Sequence, residues 1–133
     1  MDTARGTAAV VGAIPITRVV LRPASGRPIT LTGPLATEIG AASGADVWVR
    51  GRRVDDRTIE VTAYAVRTVD GQAALTGTLA ADGGRLVLVT DDGRRHAIAR
   101  PPPPLRELVG ARVWITGDLA TAISAYGVLR RGR

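Results

Sequence analysis

The chain has no cysteine, no phenylalanine, no lysine and no asparagine, and it has a single histidine. Without cysteine there are no disulfides, no thiolate metal centres and no cysteine nucleophile. Aromatic residues are 3% of the total, so a core must be built from valine, leucine, isoleucine and alanine. No apolar run approaches the roughly 20 residues that a bilayer-spanning helix needs. The longest near the start, Ala8 to Ile16, lacks a basic preceding region and a small-residue cleavage site, and reads as a strand. A cytoplasmic location is expected if the chain is the full gene product, and a secreted or periplasmic one if a leader has been removed. Glycine-rich phosphate loops, nucleophile elbows and metal-ligand spacings are all missing from the pattern. Ser25, Ser43 and Ser124 have no base beside them, and His96 has neither a second histidine nor a carboxylate pair. The expectation is a protein that is no enzyme, with no catalytic residue, no metal and no cofactor.

What the chain does have is charge of one chemical kind. All 18 basic residues are arginine, against 12 acidic ones, for a net charge of +6. That balance invites a nucleic-acid reading. The joint lack of lysine, asparagine and phenylalanine instead fits the codon usage of a GC-rich genome, in which arginine stands in for solvated lysine. Hydrophobic residues at 45% are enough for a globular core in a chain of 133 residues.

The chain also repeats itself. Gly44-Ala45-Asp46-Val47-Trp48-Val49-Arg50-Gly51 returns as Gly110-Ala111-Arg112-Val113-Trp114-Ile115-Thr116-Gly117, an offset of 66 (114 − 48). Ala63-Tyr64-Ala65-Val66 returns as Ala125-Tyr126-Gly127-Val128, an offset of 62 (126 − 64). Upstream, Val10-Val11-Gly12-Ala13-Ile14 aligns with Leu75-Thr76-Gly77-Thr78-Leu79 at 65, and Arg18-Val19-Val20-Leu21 with Arg85-Leu86-Val87-Leu88 at 67. Ile29-Thr30-Leu31-Thr32 then matches His96-Ala97-Ile98-Ala99, after turns at Ser25-Gly26 and Asp92-Gly93. Period-2 alternation marks these segments as strands. Pro34 and Pro104 each open a short helical segment, since proline suits a first helical position. The last hairpin of each copy predicts its own register. Trp48 and Tyr64 add to 112, as do Val49 and Ala63, and Trp114 and Tyr126 add to 240, as do Ile115 and Ala125.

Three strands, a short helix and two more strands, with glycine in the first strand, resemble the OB-fold, a small five-stranded Greek-key barrel. The chain is also similar to duplicated bacterial β-barrel domains of unknown function. The expected class is therefore all-β, with two OB-like barrels over 8–67 and 73–130 from a tandem duplication, each with one short helix between strands three and four. A single ten-stranded barrel and strands exchanged between the halves are the alternatives.

Binding rather than catalysis is the expectation. Trp48 with Tyr64, and Trp114 with Tyr126, are predicted as cross-strand pairs on the outside of barrels filled by valine. Such strips serve either as stacking platforms for single-stranded bases or as apolar faces buried against the other barrel or a second subunit. Arg18 and Arg22 on the second strand, with Arg50 and Arg52 on the fourth, could track a phosphate backbone. The leading reading is a binding or scaffolding module that engages a protein partner or itself through these strips or through exposed strand edges. The other is a single-stranded nucleic-acid binder using the first barrel's arginines. Neither involves a membrane span.

Overall fold

A computed structural model describes residues 1–13 and 16–132. Ile14, which closes the expected first-strand match, and Arg133, in the C-terminal arginine tail, lie outside the described residues. The fold is predominantly β, and its contacts divide the chain into Met1–Asp70 and Gly71–Arg133. The expected boundaries, 8–67 and 73–130, fall inside these spans.

The first unit consists of β1 (Asp2–Ala13), β2 (Ile16–Arg22), β3 (Ile29–Thr32), α1 (Pro34–Gly40), β4 (Asp46–Asp55) and β5 (Thr58–Val69). β1 is long enough to pair antiparallel with two strands, β2 along its second half and β4 along its first. β2 pairs with β3, β3 runs parallel to β5, and β5 returns to β4. The pairings therefore form a closed circuit of five strands, and its inward residues are aliphatic. Leu21, Ile39, Val47, Val49 and Ile59 are all fully buried. α1 starts on Pro34 and turns Ala36, Glu38 and Ile39 toward this core.

The second unit repeats the order with β6 (Gln72–Asp82), β7 (Arg85–Thr90), β8 (Arg95–Ala97), α2 (Pro103–Arg106), β9 (Arg112–Asp118) and β10 (Ala122–Arg130). Its core is Leu79, Leu86, Leu88, Ile98, Leu105, Val113 and Ile115, with Tyr126 and Val128 packed against it. Here the circuit stays open. β8 pairs only with β7, and β10 only with β9, among the described residues. The gap is bridged at one point, where the Ala99 amide donates to the Leu119 carbonyl at 2.8 Å.

Two expectations from the sequence need correction. The first concerns register. Trp48 lies opposite Ala65, and Val49 opposite Tyr64, so these pairs add to 113, not 112. Closer to the turn, Gly51 opposes Val61 and the sum returns to 112. Thr62 is the extra residue of a β-bulge, and one extra residue moves everything beyond it to the other face. Ser124 does the same in the second unit, so Trp114 lies opposite Gly127 and Tyr126 opposite Ile115. The glycine that ends each repeated octet is accounted for here. A side chain on Gly51 would meet the Glu60 carbonyl, and one on Gly117 would come within 2.5 Å of the Ser124 nitrogen.

The second correction concerns the first strands. The residue of β1 that matches Gly77 is Gly6, not Gly12, an offset of 71 (77 − 6). Gly6 opposes Val47 as Gly77 opposes Val113. A Cβ on Gly6 would strike the Arg22 carbonyl, and one on Gly77 the Val89 carbonyl. Ala8 and Leu79 confirm the match with the same pair of hydrogen bonds. Ala8 donates to Ala45 at 2.9 Å and accepts from Gly44 at 2.8 Å, while Leu79 donates to Ala111 at 3.0 Å and accepts from Gly110 at 2.8 Å. Gly12 instead lies near the end of the β1–β2 hairpin with φ of 98°.

Candidate functional site

The bulge decides what the aromatic residues do. Beyond Thr62 the inward positions of β5 are Tyr64 and Val66, and Tyr64 is 2% exposed. Its hydroxyl donates to Glu38 Oε1 at 2.7 Å, which satisfies a carboxyl that α1 carries into the core. The expected outer strip of Trp48 with Tyr64 therefore does not exist, because the tyrosine belongs to the interior. Trp48 is half-buried between the fully buried Val47 and Val49, which leaves its indole on the outer face. Tyr126 also turns toward its core, though less completely. The Trp114 indole covers Gly127 across the strand pair, where any Cβ would collide with it. An aromatic side chain over a cross-strand glycine shields backbone that would otherwise be bare.

The four expected arginines do not converge. Arg50 lies opposite Thr3 of β1, Arg22 opposite Thr7 and Arg18 opposite Val11. From Thr3 to Val11 the strand advances roughly 27 Å at about 3.4 Å per residue. Arg52 is 3.4 Å from Glu60, and its neighbour Arg53 is 2.7 Å from Asp2. Beside Trp48, Arg5 grips Asp46 through Nε and Nη2, at 3.1 and 2.8 Å from Oδ2. The outer face of the first unit is thus a lattice of local ion pairs, each worth little in water.

A more concentrated site lies in the second unit, and of its lining the sequence pointed to His96 alone. An open cleft of about 770 Å³ runs between the start of β7, β8, the segment leading into α2 and the β9–β10 turn. Arg85, Arg100 and Arg106 line it together with His96 and Asp118, over Leu86, Ile98 and Leu119. Arg100 and Arg106 bracket the segment that leads through α2, and the β7–β8 pairing brings Arg85 to them. One local signal was present: Arg100 directly precedes the proline run Pro101 to Pro104, and it adopts φ of 51°. A non-glycine residue in the left-handed region is uncommon and costs backbone energy.

The β10 edge is the other notable surface. From Ala122 to Leu129 the strand has no charged side chain and no proline, and its far side has no strand partner among the described residues. The profile of a family described as "Protein of unknown function (DUF5818)" matches residues 76–131. That segment contains α2, β10 and nearly all of the cleft lining. No curated protein and no solved structure matches the chain. Among the described residues no helix is long and apolar enough to cross a membrane.

Proposed function

We propose that the chain is a non-catalytic binding module of two OB-like barrels that associates by strand addition at β10, with the β10 of a second copy as the added strand. The support is the difference between the two circuits: β3 closes the first through β5, whereas β10 is left with β9 alone. Open edges in soluble proteins are commonly blunted by lysine, proline or inward charge. Ala122 to Leu129 has none of these, and the one blunting device identified in it is the bulge at Ser124. Two such strands meeting antiparallel about a two-fold axis satisfy each other's free backbone groups, and this makes a closed rather than a runaway assembly. Tryptophan plays a lesser part in this reading than the sequence suggested, since Trp114 is already occupied in covering Gly127.

Sedimentation equilibrium tests it. The native chain is expected to be a dimer, and Ala125→Lys, an exposed edge position, a folded monomer. A native chain that stays monomeric at its solubility limit would sink the proposal. The competing reading, single-stranded nucleic acid along Arg18, Arg22 and Arg50, has weaker support because those residues are strung along β1 instead of lining one groove.

A further inference from the structure

We infer that the cleft of the second unit binds a small organic anion with an aliphatic body, of the alkyl diphosphate type. Charge is the first argument. Three other arginines of this unit have acids: Arg94 meets Asp92, Arg95 meets Asp82, and Arg112 holds Asp91 through both nitrogens at 2.9 and 3.0 Å. Arg85, Arg100 and Arg106 have no ion pair among the described residues, and all three are exposed around one concavity. Three like charges around one cleft repel unless an anion sits among them, and guanidinium groups suit the forked oxygens of phosphate or carboxylate. The one acid on the wall, Asp118, already accepts the Ala120 amide at 2.9 Å.

The floor supplies the second argument. Leu86, Ile98 and Leu119 reach the cleft from the edge of the core, so the part of the ligand below the charges meets aliphatic carbon. No tryptophan or tyrosine lines the cleft, and His96 is its one ring, so a run of bases finds no extended stacking platform and an oligonucleotide is disfavoured. Backbone is the third. Arg100 is held in its left-handed conformation between Ala99, tied to the Leu119 carbonyl, and Pro101. Strain of this kind at the mouth of a cleft fits a residue positioned in advance for a ligand.

The experiment is calorimetric titration of the full chain with isopentenyl diphosphate, inorganic pyrophosphate and oligothymidylate, each at low and high salt. Isopentenyl diphosphate is expected to bind saturably, more tightly than pyrophosphate, and more weakly at high salt. Arg85→Gln, Arg100→Gln and Arg106→Gln should each weaken it about tenfold. Arg27→Gln, which removes the same charge from the first unit, should change nothing. Absence of saturable binding, or cleft variants that bind like the native chain, overturns the site. Pyrophosphate binding equally well overturns the aliphatic component, and tighter binding of oligothymidylate overturns the ligand class. Because none of these arginines has an ion pair to lose, thermal unfolding of the variants should match the native chain.

Discussion

Tyr64 in the first unit and Tyr126 in the second stand at the same step beyond the same bulge, yet among the described residues only the first meets an acid. Glu38 rises from α1 to take its hydroxyl proton in a hydrogen bond. In the second unit α2 is shorter, and the turn bonds align Leu105 with Ile39: Ala42 donates to Ile39 at 2.9 Å as Leu108 donates to Leu105 at 3.1 Å. By that alignment Pro104 stands in the place of Glu38. Positions 46 and 112 differ in the same spirit. Asp46 is held by Arg5 of β1, whereas Arg112 holds Asp91 just beyond β7, so the charge is reversed and the partner comes from another strand. The two units share this backbone geometry and differ in their side-chain partners. Close approaches, bulges and hairpins tolerate little change, whereas a polar pair can be replaced whenever both members go together.

The largest effects are expected where backbone presses on backbone. Gly6→Val and Gly77→Val each place a side chain against a carbonyl oxygen of the neighbouring strand, and each should cost about 2–3 kcal/mol. Urea unfolding of the two variants measures this. Similar losses fit an equivalence of 71 residues between the first strands. A mild Gly6→Val beside a severe Gly77→Val would mean that only one unit needs the close approach.

That equivalence also marks how far the sequence can be read. Matches at 66 and 67 hold for β2, β3 and β4 against β7, β8 and β9, because no residue is gained or lost inside those stretches. The first strand was misaligned because Gly12 and Gly77 look alike in context, while their backbone surroundings differ. The register of the last hairpins failed for a subtler reason. Both units have the bulge, at Thr62 and Ser124, so their agreement could not expose an error common to both. The cleft was illegible because Arg85 meets Arg100 and Arg106 only through the fold.

Tyr64→Phe probes the next level, at about 1–2 kcal/mol, since it removes one hydrogen bond from a carboxyl that is 7% exposed. Tyr126→Phe, in the half-exposed equivalent position, should stay within about 0.5 kcal/mol. Chemical denaturation of both variants gives the ratio directly. Equal losses would mean that the Glu38 contact contributes nothing beyond what a tyrosine gains from water.

The smallest effects should be alike because both arise where an aspartate accepts the amide two residues on, Asp55 in the β4–β5 hairpin of the first unit and Asp92 in the β7–β8 hairpin of the second. Asp55 is held below the usual carboxylate range chiefly by accepting the Arg57 amide, with the Thr58 hydroxyl next. Asp92 is held low chiefly by the Thr90 hydroxyl, with the Arg94 amide next. In each case the fold favours the charged form, so the folded pKa lies below the unfolded one. The resulting stabilisation is complete above the unfolded carboxylate range near pH ~4 and is lost as pH falls through the folded value. Both side chains are exposed, so the contribution is small and best read as a slope. Asp55→Asn and Asp92→Asn should each flatten the fall of the urea midpoint below pH ~4 and leave it nearly unchanged at neutral pH, since asparagine can still accept the turn amide. A slope altered by one substitution and untouched by the other would show that the same local hydrogen bond differs in its electrostatics between the two hairpins.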